Sequence, residues 1–387
     1  MEKTEILSVG RDMIYLASCA FHGRIPEKET LLEMNIARVY IMAKFHSIQS
    51  IVYICLANCV KKYGEEIVDP QIFKRFAMDY QGTVQKLVKF DVEREALCEL
   101  IGEHDWYLCL KGVVMQNYYP TLGMRQMADN DILVGPKSYA PIRDYFVKRG
   151  YEVHSYGKGC HDTYFKGAMN FEIHRKLFSS AAKTRQGWDY YKTVKDKLIP
   201  GKKKGEMLFT DDDFYVYFLY HAYKHYATAG CGVRTLMDIY AYYSKNERLD
   251  AEYIAEQLSV LGIAEYESNS RKLAFALFSP NATPKTEIGE EMTDMLLYYL
   301  TSGTFGTQTK MLENSLADAS RGDNVTAGAK LKYVLGRIFP PYSHYREGYP
   351  RLSKLIFPIP FLWLIRLTRV ITRRKAIADE VNKVKEI

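Results

Sequence analysis

The hydrophobic period of this chain changes between Trp106 and His174, and that change limits the folds open to it. Before Trp106, apolar residues recur at three- and four-residue spacing, in Glu27 to Phe45, in Ile48 to Lys61 and in a long stretch opened by Asp69-Pro70 and reaching Ile101. That spacing marks helices, and proline suits a first helical turn. After it come short runs of strand character. Trp106 to Leu110 leads to Lys111-Gly112, Asp129-Asn130-Asp131-Ile132-Leu133-Val134 is the next run, and Tyr151 to Tyr156, Asp162 to Lys166 and Asn170 to His174 alternate. Helices are expected around Val113 to Tyr119 and from Pro136 to Arg149, the latter ended by Gly150. From Thr210 onward the helical period returns. The order predicts an α+β fold, a mixed β-sheet with flanking helices embedded between N-terminal and C-terminal helical regions. The expected divisions are 1–104, 105–200, 206–340 and a basic tail at 341–387, with Gly201-Lys202-Lys203-Lys204-Gly205 as a linker.

Composition narrows the class. Hydrophobic residues make up 47% and charged residues 26% of 387, which is ordinary for a folded soluble chain. The seven cysteines are odd in number and form no CxxC pair, so a disulfide framework is not expected and a reducing, cytoplasmic setting is. Cys55 and Cys59, four apart in an apolar run, read as buried thiols. The net charge of +7 sits almost entirely from Arg351 onward, where nine Lys or Arg face three Asp or Glu. A neutral body with a basic tail is not the charge pattern of a dedicated nucleic-acid binder. Leu355 to Ile365 is short and holds Pro358 and Pro360, so no transmembrane span is expected there. Contact of this basic stretch with a membrane surface, or its packing on the helical part, are both open readings.

The chemistry is concentrated at the second strand. Alternate residues of a strand share a face, so Asp129 and Asp131 point the same way. Ile132 to Val134 sink the strand into a core. Glu172, on the strand Asn170 to His174, is the third carboxylate. Three such groups suit Mg²⁺ or Mn²⁺, hard cations that take carboxylate and phosphate oxygens. Asp211 and Asp213 repeat the spacing, but Thr210 before them and a helical run after them make a capping arrangement. Lys111 and Gly112, between a strand and a helix start, are candidates to approach phosphates. Arg125 is a candidate for a charge-assisted fork to the same groups. Each has a plainer reading: a turn for Lys111-Gly112, and an exposed pair with Arg175 for Glu172.

His221 and His225 share a helix face, but Ala222 stands where a zinc protease motif needs Glu. A zinc site with His174 as third ligand is an alternative. More in keeping with the pattern, Lys224, His225, Arg234 and Asp238 line a cleft between helices and sheet, as nucleotide-binding groups or as an interdomain network. A Cys160–His161 pair is disfavoured, because sequence neighbours in a strand face apart.

Taken together, Trp106 to Gly112, Tyr119-Pro120, Arg125, Asp129 to Val134, Gly150-Tyr151 and Phe171-Glu172-Ile173-His174 resemble the uncharacterised bacterial nucleotidyltransferase family of the DNA polymerase β-like superfamily. His221, His225, Arg234, Asp238 and the closing region from Phe339-Pro340-Pro341 to Trp363 are similar too, so the likeness runs from about Ile36 onward. The resemblance implies a minimal nucleotidyltransferase sheet with Asp129, Asp131 and Glu172 as its metal triad. It implies NTP, ATP included, as donor and an unidentified acceptor: a small molecule, a sugar, RNA or a protein. Two features depart from the superfamily pattern. Lys111-Gly112 replaces the usual Gly-Ser, which removes a hydroxyl that often contacts phosphate, and Asn130 stands where Ile or Val is commoner. The alternatives are a non-catalytic nucleotide- or partner-binding protein on the same fold, and a toxin-type nucleotidyltransferase acting on tRNA or protein. Oligomeric state is not legible.

Overall fold

A computed structural model describes residues 2–320 and, beyond them, 328, 330 and 335. The basic tail therefore lies outside the described residues. The chain is α+β as expected, and among the described residues strands are confined to 107–208. The sheet contains β1 (Tyr107–Cys109), β2 (Asn130–Val134), β3 (Glu152–Ser155), β4 (His161–Lys166) and β5 (Met169–His174), in the order β1-β2-β5-β4-β3. It is mixed: β2 and β5 run parallel, and the other neighbours are antiparallel. A two-residue turn at Gly167-Ala168, with Gly167 at φ 57°, joins β4 to β5 and sets their register.

Register decides which residues share a face. Asn130 lies opposite Phe171, and Ile132 opposite Ile173. These four, with Tyr164 and Val134, are fully or almost fully buried; the apolar ones pack on Leu87, Phe90 and Leu97 of the helix Pro70–His104 and on Ile142 and Phe146 of the helix Tyr139–Lys148. Asn130 is accommodated on this apolar face because Arg94 Nη1 donates to its Oδ1 at 3.2 Å. The other face carries Asp131, Leu133, Glu172 and His174, and looks toward the helix Asp211–Tyr226.

A second, larger core joins helices from both ends of the chain. The first helix, Lys3–Phe21, buries Met13, Ile14, Leu16 and Ala17 in the same cluster as Leu273, Leu277, Leu296 and Leu300 of the helices Ala264–Phe278 and Glu290–Ser302. The stretch expected as one helix from Glu27 to Phe45 is two, Lys28–Leu32 and Ile36–Phe45; Asn35 ends the break by accepting from Arg38 N. Thr210 caps Asp211–Tyr226 by accepting from Asp213 N at 3.1 Å, as its sequence suggested. The segment expected as a linker is instead the turn of a ribbon, β6 (Ile199–Pro200) with β7 (Met207–Leu208). Tyr107 N donates to Gly205 O at 2.8 Å, so this ribbon covers the free edge of β1. None of the seven cysteines forms a disulfide; Cys55 and Cys59 are buried. Among the described residues, no helix is long and apolar enough to cross a membrane.

Candidate active site

The polar face of the sheet and the helix Asp211–Tyr226 enclose a cavity of about 620 Å³. Its floor follows from the strand registers. Asp131 lies opposite Glu172 on parallel strands, and Asp129 is two residues before Asp131, so three carboxylates converge. One oxygen from each of Asp129, Asp131 and Glu172 lies within 4.8 Å of the others. The sequence-derived triad is thus brought together. Glu172 does not pair with Arg175, whose guanidinium goes to Asp162 on the opposite face at 2.6 Å.

Crowding like charges in a half-buried place separates their acidities. Burial, then the charges of Asp131 and Asp129, push the Glu172 carboxyl up to about 7. Burial and then Asp131 also raise Asp129. Burial works on Asp131 in the same direction, but the hydrogen bond from His174 and its charge, with Lys111, outweigh it and bring that carboxyl down to about 2. His174 Nε2 lies 3.2 Å from Asp131 Oδ1. One group stays ionised while its neighbours hold protons more tightly, an arrangement common where a cation or a proton is to be received.

The opposite wall is cationic. Leu110 N donates to Asp131 O at 2.9 Å, which fixes the end of β1 beside the triad and places Lys111 at the cavity. Lys111 Nζ lies 2.8 Å from His221 Nε2, and that nitrogen lies 2.9 Å from His225 Nε2. Burial, then the Lys111 charge, hold His221 well below the imidazole range and bring His225 down to about 3. Both rings are therefore neutral at pH 7. The same two causes lower Lys224. Arg234 also lines the cavity, and its Nη1 donates to Gln126 O at 3.2 Å. Among the described residues, His174, His221 and His225 are not a group whose ring nitrogens come within 4.8 Å of one another, so the three do not assemble as the zinc alternative requires.

Arg125 is placed differently from a free phosphate fork. It is 5% exposed, and its Nε and Nη2 donate to Asp238 at 2.7 and 2.9 Å. Tyr119 Oη donates to the same carboxylate at 2.7 Å. Arg125 Nη1 donates to Gly112 O at 3.3 Å, which steadies the turn after Lys111. A Cβ at Gly112 would come 3.2 Å from Met127 Cε, a tight approach that a small shift of that flexible side chain would relieve. Asp238, a cleft residue in the sequence, is thereby the anchor of Arg125.

Sequence reasoning did not place His161 in the site. It lies opposite His174 in the β4–β5 register, and its Nε2 is 3.5 Å from Glu172 Oε2. The signal was present: Gly167 as the turn makes 166 and 169 partners, and counting outward pairs 161 with 174.

A family model described as "Uncharacterised nucleotidyltransferase" matches residues 33–279. That span includes every residue of the cavity floor and cationic wall named above, and it ends before the 339–363 stretch. No curated protein and no solved structure matches the chain.

Proposed function

This chain belongs to the uncharacterised nucleotidyltransferase family, and from that membership we propose that it moves a nucleoside monophosphate from an NTP to an acceptor hydroxyl, releasing pyrophosphate. The observation that carries the reading is the convergence of Asp129, Asp131 and Glu172 on one sheet face, across a cavity from Lys111 and Lys224.

The donor set fits a divalent cation: hard oxygens only, half-buried, with one carboxylate held ionised. Asp129, Asp131 and Glu172 would hold Mg²⁺ or Mn²⁺, which when bound would neutralise phosphate charge and ease attack on the α-phosphorus. The residues of the chain do the rest. Lys111 and Lys224 offer positive charge to the triphosphate, and neutral His225 and His221 hold Lys111 in place. Gly112 follows Lys111 in a turn steadied by Arg125, which acts through Asp238 and not as a direct phosphate ligand. The acceptor oxygen bonds to the α-phosphorus as the bond to the β-phosphate oxygen breaks. Glu172 is the candidate to take the acceptor's proton, at the carboxylate oxygen that it does not lend to the cation.

The test uses NTPs labelled at the α- or the γ-phosphate, Mg²⁺ and cell extract as the acceptor source. Wild type is expected to move α label and not γ label into extract components, and Asp129→Asn and Asp131→Asn to lower transfer on the order of 10³-fold. The proposal fails if wild type transfers no label and Asp129→Asn still binds Mg²⁺-NTP as tightly as wild type.

A further inference from the structure

The carboxylate triad is only half of the polar sheet face. Strand register continues the same face through His174 and, across the β4–β5 pair, to His161. His161, Glu172 and His174 each offer one ligand atom, all within 4.8 Å of one another, as a group distinct from the triad but sharing Glu172. Three separations are informative. His174 Nε2 is 3.2 Å from Asp131 Oδ1, His161 Nε2 is 3.5 Å from Glu172 Oε2, and His174 Nε2 is 3.9 Å from the same oxygen.

The latter two are too long for strong hydrogen bonds. They are close to what two ligands of one ion require. A tetrahedral ion with ligands at about 2.0–2.2 Å keeps those ligands about 3.4 Å apart along each edge. An octahedral Mg²⁺ site would bring neighbouring ligands to about 2.9 Å and would take oxygen rather than imidazole. Imidazole nitrogens select ions later in the first transition row. Of the three groups, His161 is the most exposed. Its side chain is 37% exposed, so an ion has a path in.

We propose that His161, His174, Glu172 and Asp131 form a second, nitrogen-containing cation site for a borderline transition-metal dication such as Co²⁺ or Zn²⁺, next to the all-oxygen site that Asp129 completes. The inference rests on the reading that Asp131 and Glu172 hold cations. It adds that the two halves of the cluster differ in metal class, with Asp129 marking the oxygen side and His161 the nitrogen side.

The test titrates the metal-free full chain with Co²⁺, without nucleotide, and reads visible d–d absorption. Wild type is expected to give intense bands of a four-coordinate site, saturating at one ion per chain and persisting in millimolar Mg²⁺. His161→Ala, at a partly exposed position, is expected to weaken this binding on the order of 100-fold or more, and His161→Asn to do the same. Asp129→Asn is expected to keep the bands. The inference is overturned if wild type shows only weak octahedral bands, or if both His161 variants match wild type. It is equally overturned if Mg²⁺ abolishes the signal. The two readings fail separately. Intact Co²⁺ bands with no α-label transfer would leave this site standing and the nucleotidyl transfer unsupported. Transfer supported by Mg²⁺ with no His161-dependent Co²⁺ site would do the reverse.

Discussion

Glu172 sets the chemistry of the site against the stability of the fold. Its carboxyl has a higher pKa in the folded chain, about 7, than the 4.5 of an ordinary glutamate. Between those values the folded protein holds a proton that the unfolded chain releases. Stability from this group is therefore full below about pH 4.5 and is lost as pH rises through 7. Glu172→Gln removes the charge and keeps the shape. Without metal, the variant is expected to be more stable than wild type at pH 8 by about 2 kcal/mol, allowing for partial exposure. The gap should close near pH 5, in urea melts at the two pH values. Mg²⁺ should stabilise wild type at pH 8 and leave the variant nearly unmoved. The acidic residues were legible because alternation in one strand is local information. Arg125 was legible as a cation near the aspartates, but its partner Asp238 is 113 residues away, so its commitment to that carboxylate was not. His161 needed the register of a hairpin before its neighbours could be known.

The helix Pro70–His104 offers a test at the scale of elements. It contains two glycines whose surroundings differ. Gly102 lies under the turn of the β6–β7 ribbon, where an added Cβ would come 2.2 Å from Lys204 backbone O. Gly82 is exposed with nothing within 4 Å. The same substitution is then expected to have opposite signs. Gly102→Ala should push the ribbon from the helix, weaken the Tyr107 N–Gly205 O bond and destabilise by about 2–3 kcal/mol. Gly82→Ala should stabilise by roughly 0.5–1 kcal/mol through helix propensity alone. Denaturant midpoints of the two variants decide it. Sequence periodicity located this long helix and the strands well, because each is an amphipathic pattern read over its own length. It misread Gly201 to Gly205 as a linker because a Gly- and Lys-rich stretch has the composition of one. What makes it a structural turn is its contact with Gly102 and Tyr107, which lie about a hundred residues earlier.

For the whole molecule, the family-matched segment 33–279 and the folding unit do not coincide. The matched segment omits the helix Lys3–Phe21 and the helix Glu290–Ser302, whose apolar faces belong to the larger core. A fragment limited to 33–279 keeps every proposed site residue but exposes the core face of the helix Ala264–Phe278, against which these two helices pack. It is expected to lose the cooperative thermal transition of the full chain, measured by far-ultraviolet circular dichroism, and to sediment as aggregate. A sharp transition in the fragment would show that the terminal helices are ornaments on an independent core.

The same closure of Lys3–Phe21 against Ala264–Phe278 and Glu290–Ser302 has a consequence during synthesis. Lys3–Phe21 leaves the ribosome with Met13, Ile14 and Leu16 on its apolar face, yet its partners Leu296 and Leu300 follow some 280 residues later. At elongation rates of about 5–20 residues per second, that interval is on the order of 15–60 s. Throughout it the nascent chain carries an apolar helix without its final cover, so this helix needs protection long after it has been made.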